Sequence, residues 1–470
     1  MKLWQTSSLS LAVVCCAGWA AGWLSWPQRG DVPFVMAGDR SQAAPASAPL
    51  IVHEWGTFTS FSGSDGIKLE FRPLEERDLP GFVYDRSRQA FWPLTKGILP
   101  AIQRMETPVT YFYTPIERDV TVRVDFPQGL LTEFYPPVRS LAPNHSRDKG
   151  AGLLEAPPSK ELPLKDSWLD WGQVHLIPPD ALRADVADEE LSRRIGRHVE
   201  RTMVPDAGKF QHYATARETD SAIVQVRHRP QEGGPIGLAP PGDYFEKFLF
   251  YRGLGNFDLP LTLTATHDDG CTLRNSGRDE IRSLFLVSVR GEELRFQQFP
   301  RIAAGETLAL KLPTQSASTA ALSDAVASAL VAEGLYEKEA QAMVNTWESS
   351  WFGEEGTRLF YVVPQRITAE LLPLKITPPP TELVRVLVGR MEIMTPSQEQ
   401  EILQLIQRSA AARHTLPKDQ DSPVLPELLK LGRLGEPALV RAQHLAAADA
   451  VKQEAQQLMA ELRQQRTQQP

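Results

Sequence analysis

His53 and Glu54 stand side by side in Val52-His53-Glu54-Trp55-Gly56. An imidazole next to a carboxylate is a minimal kit for moving a proton near neutral pH. Glu106, set between Met105 and Thr107-Pro108 just ahead of an aromatic run, is a further candidate because its neighbours predict partial burial. A buried carboxylate needs a cation or hydrogen-bond donors to stay ionised. Arg252 or Lys247, in the equally aromatic run Tyr244 to Gly253, is the expected partner. His212, Arg217 and Glu218 form a third group, directly ahead of a strand-like segment. The catalytic candidates are therefore His53, Glu54, Glu106 and His212, and the ligand-binding candidates are Trp55, Arg217, Glu218, Lys247 and Arg252.

Each candidate has a plainer role. Adjacent side chains on a strand face opposite sides, so His53 and Glu54 share a site only if a bulge intervenes. Otherwise His53 is a hydrogen-bonded core histidine and Trp55 a core anchor. Glu106 with Arg252 or Lys247 reads first as a structural salt bridge between strands. His53, His175, His212 and His267 lie in the same strand-rich region, and alternation could turn His175 inward. No two of them have tight ligand spacing, so no metal is assigned. H-E-x-x-H, which would place both histidines on one helical face, is absent. There is no G-x-S-x-G elbow, and Ser64 in Gly63-Ser64-Asp65-Gly66 reads as a turn residue. No glycine-rich loop opens a helix, so neither a nucleotide nor any other cofactor is called for. Trp55, Trp92, Trp168, Trp171, Trp347 and Trp351 could stack on sugars, but Trp347 and Trp351 share a helical face and read as core.

The elements that must hold these residues follow from texture along the chain. Its 470 residues exceed what one compact core supports, and 42% hydrophobic with 23% charged residues is an ordinary globular balance. A net charge of -8 argues against nucleic acid, whose binding rests on Lys/Arg contacts to phosphates. Lys2 ahead of the apolar run 9–24 predicts a signal peptide or N-terminal membrane anchor over 1–24. Residues 25–49, rich in Pro, Ala, Ser and Gly, predict a disordered linker. With Cys15 and Cys16 inside the leader, Cys271 is alone in the body, which gives no disulfide framework and predicts a buried, inert thiol.

From residue 50 to 318 short strand-like runs alternate with Pro, Gly and Asp turn signals. Val120, Val122 and Val124 alternate with Thr121, Arg123 and Asp125, the pattern of a half-buried strand. The regular strand–helix alternation of a parallel α/β sheet is missing, so an antiparallel β-sandwich is expected. A charged stretch, Ala181 to Val204, predicts a surface helical insertion. Over 319–395 the period changes. Leu322, Val326 and Leu330 mark one helix stopped by Gly334, and Ala340, Met343, Val344, Trp347 and Trp351 mark a second, forming a hairpin followed by returning strands. Residues 396–470 read as a helical appendage with two short helices over Leu425 to Leu439, a frayed tail, and helical faces that could meet a protein partner.

Five phrases carry a resemblance: Val52 to Thr59 (VHEWGTFT), Met105 to Tyr113 (METPVTYFY), Tyr244 to Gly253 (YFEKFLFYRG), Glu339 to Phe352, and Val384 to Pro396. Together they resemble a family of exported, uncharacterised bacterial proteins of planctomycete and myxobacterial type, over about Ile51 to Pro396. The resemblance implies export and one shared architecture; it implies no activity, so no catalytic residue comes with it. The expected fold is mainly β, of sandwich type, with a helical hairpin and a small C-terminal helical appendage. The expected role is extracytoplasmic, periplasmic or secreted, in binding or envelope assembly. A secreted hydrolase using His and Glu groups and a purely structural envelope component are the alternatives.

Overall fold

Twelve residues dense in β-branched and aromatic side chains, Ile51–Ser62, form a strand buried on both faces. A strand with no wet face needs a layer of structure on each side, and the rest of the chain supplies both. A computed structural model describes residues 48–71, 79–86, 101–143, 164–182, 189, 193, 195, 211–229, 239–413, 417 and 420–468. The expected leader over 1–24 and nearly all of the 25–49 linker lie outside the described residues, as do Trp92 and most of the insertion expected over Ala181 to Val204.

In chain order the strands begin β1 (Ile51–Ser62), β2 (Tyr84–Asp85), β3 (Gln103–Tyr113), β4 (Arg118–Phe126), β5 (Gly129–Tyr135) and β6 (Ser140–Ala142). Next come β7 (Ser167–Ile177), β8 (Ile223–His228), β9 (Gly242–Glu246), β10 (Leu249–Gly255), β11 (Leu261–His267) and β12 (Gly270–Asn275). The series ends with β13 (Ile281–Arg290), β14 (Glu293–Ile302), β15 (Thr307–Lys311), β16 (Ser316–Ala317), β17 (Gly356–Val363), β18 (Leu374–Thr377) and β19 (Glu382–Ile393). The helices are α1 (Gln211–Thr215), α2 (Thr319–Ala332), α3 (Glu337–Phe352), α4 (Gln365–Leu371), α5 (Pro396–Arg413), α6 (Leu425–Lys430), α7 (Gly435–Leu445) and α8 (Asp449–Gln468).

Among the described residues, ten strands pair in one sheet in the order β16-β14-β13-β17-β19-β1-β3-β10-β5-β2. A second sheet runs β18-β4-β7-β8-β9, with β6 added on β7, and a third runs β11-β12-β15. Their pairings are antiparallel with one exception. β1 lies parallel to β19, from Ile51 opposite Glu382 to Ser62 opposite Ile393. The body is thus mainly β, as its turn-bounded runs predict, with one parallel pair that alternation alone does not disclose.

Among the described residues, three large cores separate the layers. Val52, Phe58 and Tyr251 of the large sheet pack against Val120, Val122, Val124 and Val174 of the second sheet and Leu263 and Leu273 of the third. That is the sandwich. The opposite face of the large sheet, through Trp55, Val287, Phe360 and Val386, receives Leu322, Val326 and Leu330 of α2 and Met343, Trp347 and Trp351 of α3. Trp347 and Trp351 stack at 6.2 Å, so both are core. Gly334, at φ +110°, makes the turn of the hairpin, a conformation that suits a residue without Cβ. The third core lies under the C-terminal helices, where Phe61, Phe71 and Met394 meet Ile402, Ile406, Leu428, Leu439 and Leu458. Where a frayed tail is expected, α8 runs to Gln468 with Leu458 and Leu462 fully buried.

Candidate functional site

Alternation along β1 sends His53 and Glu54 to different layers. His53 faces the helical hairpin, where its Nδ1 donates to Glu339 Oε2 at 2.7 Å. Glu339 lies in the first turn of α3, and it also accepts from the Tyr113 hydroxyl at 2.6 Å and from the backbone N–H of Tyr336 at 2.9 Å. Burial, then the Glu339 charge, push the Tyr113 phenol well above its usual range. Glu54 faces the sandwich interior. It accepts from Arg385 Nε at 2.7 Å, the Tyr251 hydroxyl at 2.5 Å and the Thr110 hydroxyl at 3.1 Å. Both side chains are sealed, at 1% and 0% exposure. They do not form one site.

Glu106 sits where three of the resemblance phrases meet. The pairing of β1 with β3 shifts register between Trp55 and Thr57, and that of β10 with β5 shifts between Arg252 and Gly253. A Cβ on Gly56 would stand 2.9 Å from the Pro108 backbone, and Thr107 takes a φ of +43°. This bulge aims Glu106 at cations. Its carboxylate accepts from Arg433 Nη1 at 2.8 Å and from the Thr59 hydroxyl at 3.0 Å, and lies 3.1 Å from Arg104 Nε. Burial raises its pKa, but Arg104, Arg433, Arg252 and Arg390 outweigh that and hold it at about 2. The expected partnership is therefore corrected. Arg252 contributes its field to Glu106, while the cations in direct contact are Arg104 on the same strand and Arg433, which comes from beyond the β body. Lys247 instead donates to the carbonyls of Thr219 and Ser221. A wider buried lattice continues from here. Arg390 pairs with Glu354 at 2.7 Å and Glu392 at 2.6 Å, and Arg358 pairs with Glu392 at 2.9 Å.

The remaining candidates are also engaged. Arg217 forks onto Glu246, with Nε at 3.0 Å and Nη2 at 2.8 Å, under the rings of Phe82 and Tyr213. The His212 carbonyl accepts from the Thr346 hydroxyl. Glu218 lies beside Lys338 and Gln341 at the surface end of α3. Trp55 is core, its ring centroid 6.3 Å from that of Tyr111. Cys271 is buried, and burial pushes its thiol up to about 11. Among the described residues no three of His, Cys, Asp and Glu gather as metal ligands. His53, Glu54, Glu106 and His212 do not converge in one cleft.

Among the described residues, one open polar concavity lies elsewhere, across the outer face of the second sheet. A groove of about 410 Å³ runs over β4, β7 and β8, lined by Arg139, Gln173, His175, Gln225, Arg227 and Arg229. Strand alternation builds it. Val174 and Val226 point into the sandwich opposite each other, which turns Gln173, His175, Gln225 and Arg227 outward. His175, expected inward, faces this groove at 27% side-chain exposure, with Nδ1 2.9 Å from Asp119 and Nε2 3.3 Å from Glu117. Gly172, at φ +66°, carries the bulge that drops Trp171 to the floor, where its Nε1 donates to the Pro136 carbonyl. Arg139 pairs with Asp170 at 2.6 Å. Arg229 donates to the carbonyls of His228 and Gly242. Burial, then Arg229, lower the pKa of His228. The side chains of Gln173 and Arg227 have no hydrogen-bond or ion-pair partner among the described residues. The groove escaped sequence reasoning because its residues follow no motif; the one usable signal was the outward phase of β7 and β8.

No family model matches the chain, and no curated protein matches it. Among solved structures the chain is similar to the yeast delta-COP-I mu-homology domain complexed with a Dsl1 WxWxV peptide. The identity is 8%, the match covers 74% of this chain and 96% of that chain, and the TM-score is 0.21. A second structure of the yeast delta-COP-I mu-homology domain matches with 8% identity, the same coverage and a TM-score of 0.22. A likeness of this size gives no residue a role.

Proposed function

We propose that this chain acts outside the cytoplasm as a binding protein whose ligand occupies the groove over β4, β7 and β8. One contrast carries the reading. The residues best suited to acid–base chemistry, His53, Glu54 and Glu106, are at most 1% exposed and held by fixed partners, whereas the groove is open and keeps Gln173 and Arg227 uncommitted. A group that water and substrate cannot reach transfers no proton to them, while a concave polar surface of a few hundred Å³ is what a small ligand needs.

Export is part of the proposal, supported by Lys2, the apolar run 9–24 and the phrases shared with the exported family. Retention of that run as an inner-membrane anchor is compatible with it. Among the described residues no helix is long and apolar enough to cross a membrane, and residues 9–24 lie outside them. A reporter that is active only outside the cytoplasm, fused after Pro470, is expected to be active; an inactive fusion overturns export. The binding reading is tested by thermal shift of the full chain against a panel of neutral sugars, amino acids, sugar acids and sugar phosphates. A ligand at about 100 times its Kd stabilises by about 2.7 kcal/mol. The expected result is a rise in Tm for at least one class, lost in Gln173→Ala. A flat response across the panel overturns the reading.

A further inference from the structure

We propose that the ligand of this groove is a small organic anion, a carboxylate or phosphate carried on a polar body, with Arg227 as its principal anchor. The inference rests on the binding reading above and adds the chemical class. Three arginines line the groove against a single lining carboxylate, Asp119. A guanidinium keeps its charge at any physiological pH and presents a planar fork that matches a carboxylate or phosphate.

Asp119, Glu117 and Asp170 are already turned to fixed partners. Asp119 and Glu117 both point at His175, at 2.9 and 3.3 Å. Asp170 holds Arg139 at 2.6 Å and also accepts the backbone N–H of Gly172. Asp243, across the strand pair from Arg227, lies 3.8 Å from the Arg229 guanidinium. Arg227 is left exposed without an ion-pair partner among the described residues. An isolated fork beside the amides of Gln173 and Gln225 offers charge-assisted donors flanked by groups able to bind hydroxyls. The groove's volume, about 410 Å³, is enough for one sugar-sized body.

The experiment is isothermal titration of the full chain with glucuronate, glucose 6-phosphate and glucose, at low and high salt. Arg227→Ala and Arg227→Lys are run beside the wild type. Arg227 is exposed, so both variants are expected to keep the wild-type Tm in the absence of ligand. The expected result is that one of the two anions binds at least about tenfold more tightly than glucose, with the loss of a hydrogen bond to a charged group costing about tenfold in Arg227→Ala. Partial recovery in Arg227→Lys and weakening by salt complete the pattern. Whether glucuronate or glucose 6-phosphate wins identifies the anion as carboxylate or phosphate. Equal binding of glucose and the anions overturns the anion assignment and leaves the binding reading standing. Anion binding that is undiminished in Arg227→Ala, or no binding of either anion, also overturns it. The wider panel then decides separately whether the groove binds anything.

Discussion

At the scale of single residues, the energetics of this body concentrate on carboxylates sunk among arginines. Glu106 prefers to be ionised in the folded chain, with a pKa lowered from 4.5 to about 2. A depressed carboxylate stabilises the fold at pH values above its unfolded pKa, and that stabilisation fades as pH falls from about 4.5 towards 2. The shift corresponds to about 3 kcal/mol. Glu106→Gln is therefore expected to lower stability by about 3 kcal/mol at neutral pH and to flatten the acid limb, which denaturant titrations across pH will show. Because Arg433 touches Glu106 directly, Arg433→Gln should be non-additive with it, by about 1–3 kcal/mol in a double-mutant cycle. Additive losses would mean that the contact carries no coupling. Sequence reasoning anticipated a buried, cation-held Glu106 but missed Arg433, which touches it directly. Arg252 lies on a neighbouring strand in a visible aromatic motif, whereas Arg433 is 327 positions away in an ordinary helical stretch.

At the scale of elements, strands are legible where one face is wet. Val120, Val122 and Val124 are buried and alternate with exposed or half-exposed partners, so β4 could be read directly. β1 is buried from Val52 to Ser62, so its sequence marks a strand without revealing which layer each face meets. Its bulge depends on Gly56, and Gly56→Ala would drive a methyl into the Pro108 backbone. Overpacking of this kind is expected to cost about 1–3 kcal/mol, read as a fall in Tm. β14 poses the opposite problem. β16 covers it only at Leu294 and Arg295, so the rest of its outer edge is unpaired among the described residues. Pro300, flanked by Arg301 within that strand, removes one donor and guards the edge. Pro300→Val should promote edge-to-edge association, seen as a concentration-dependent rise in mass by light scattering. A monomer at every concentration would refute this role.

At the scale of the whole molecule, the C-terminal helices are part of the body that begins at Ala48. Arg441 grips Glu399 at 2.7 Å and Asp65 at 2.9 Å, and Ser64 donates twice to Glu399, so the turn after β1 is latched to α5 and α7. Deleting residues 396–470 would bare Phe61, Phe71 and Met394 and strip Arg433 from Glu106. The shortened chain is expected to aggregate or to lose its near-UV circular dichroism; a stable, monomeric truncation would show that the latch is dispensable. The groove was illegible from sequence for a reason of the same scale. Its lining comes from strands whose outward positions become a concavity only when β4, β7 and β8 lie side by side.

The parallel pair of β1 and β19 also sets a timetable. The first strand of the body waits at mid-sheet for a neighbour that leaves the ribosome more than three hundred residues later. Until then the chain has no finished centre to lock. Closure of the sheet's centre is therefore a long-range event, which makes this body slower to fold than one built from local contacts.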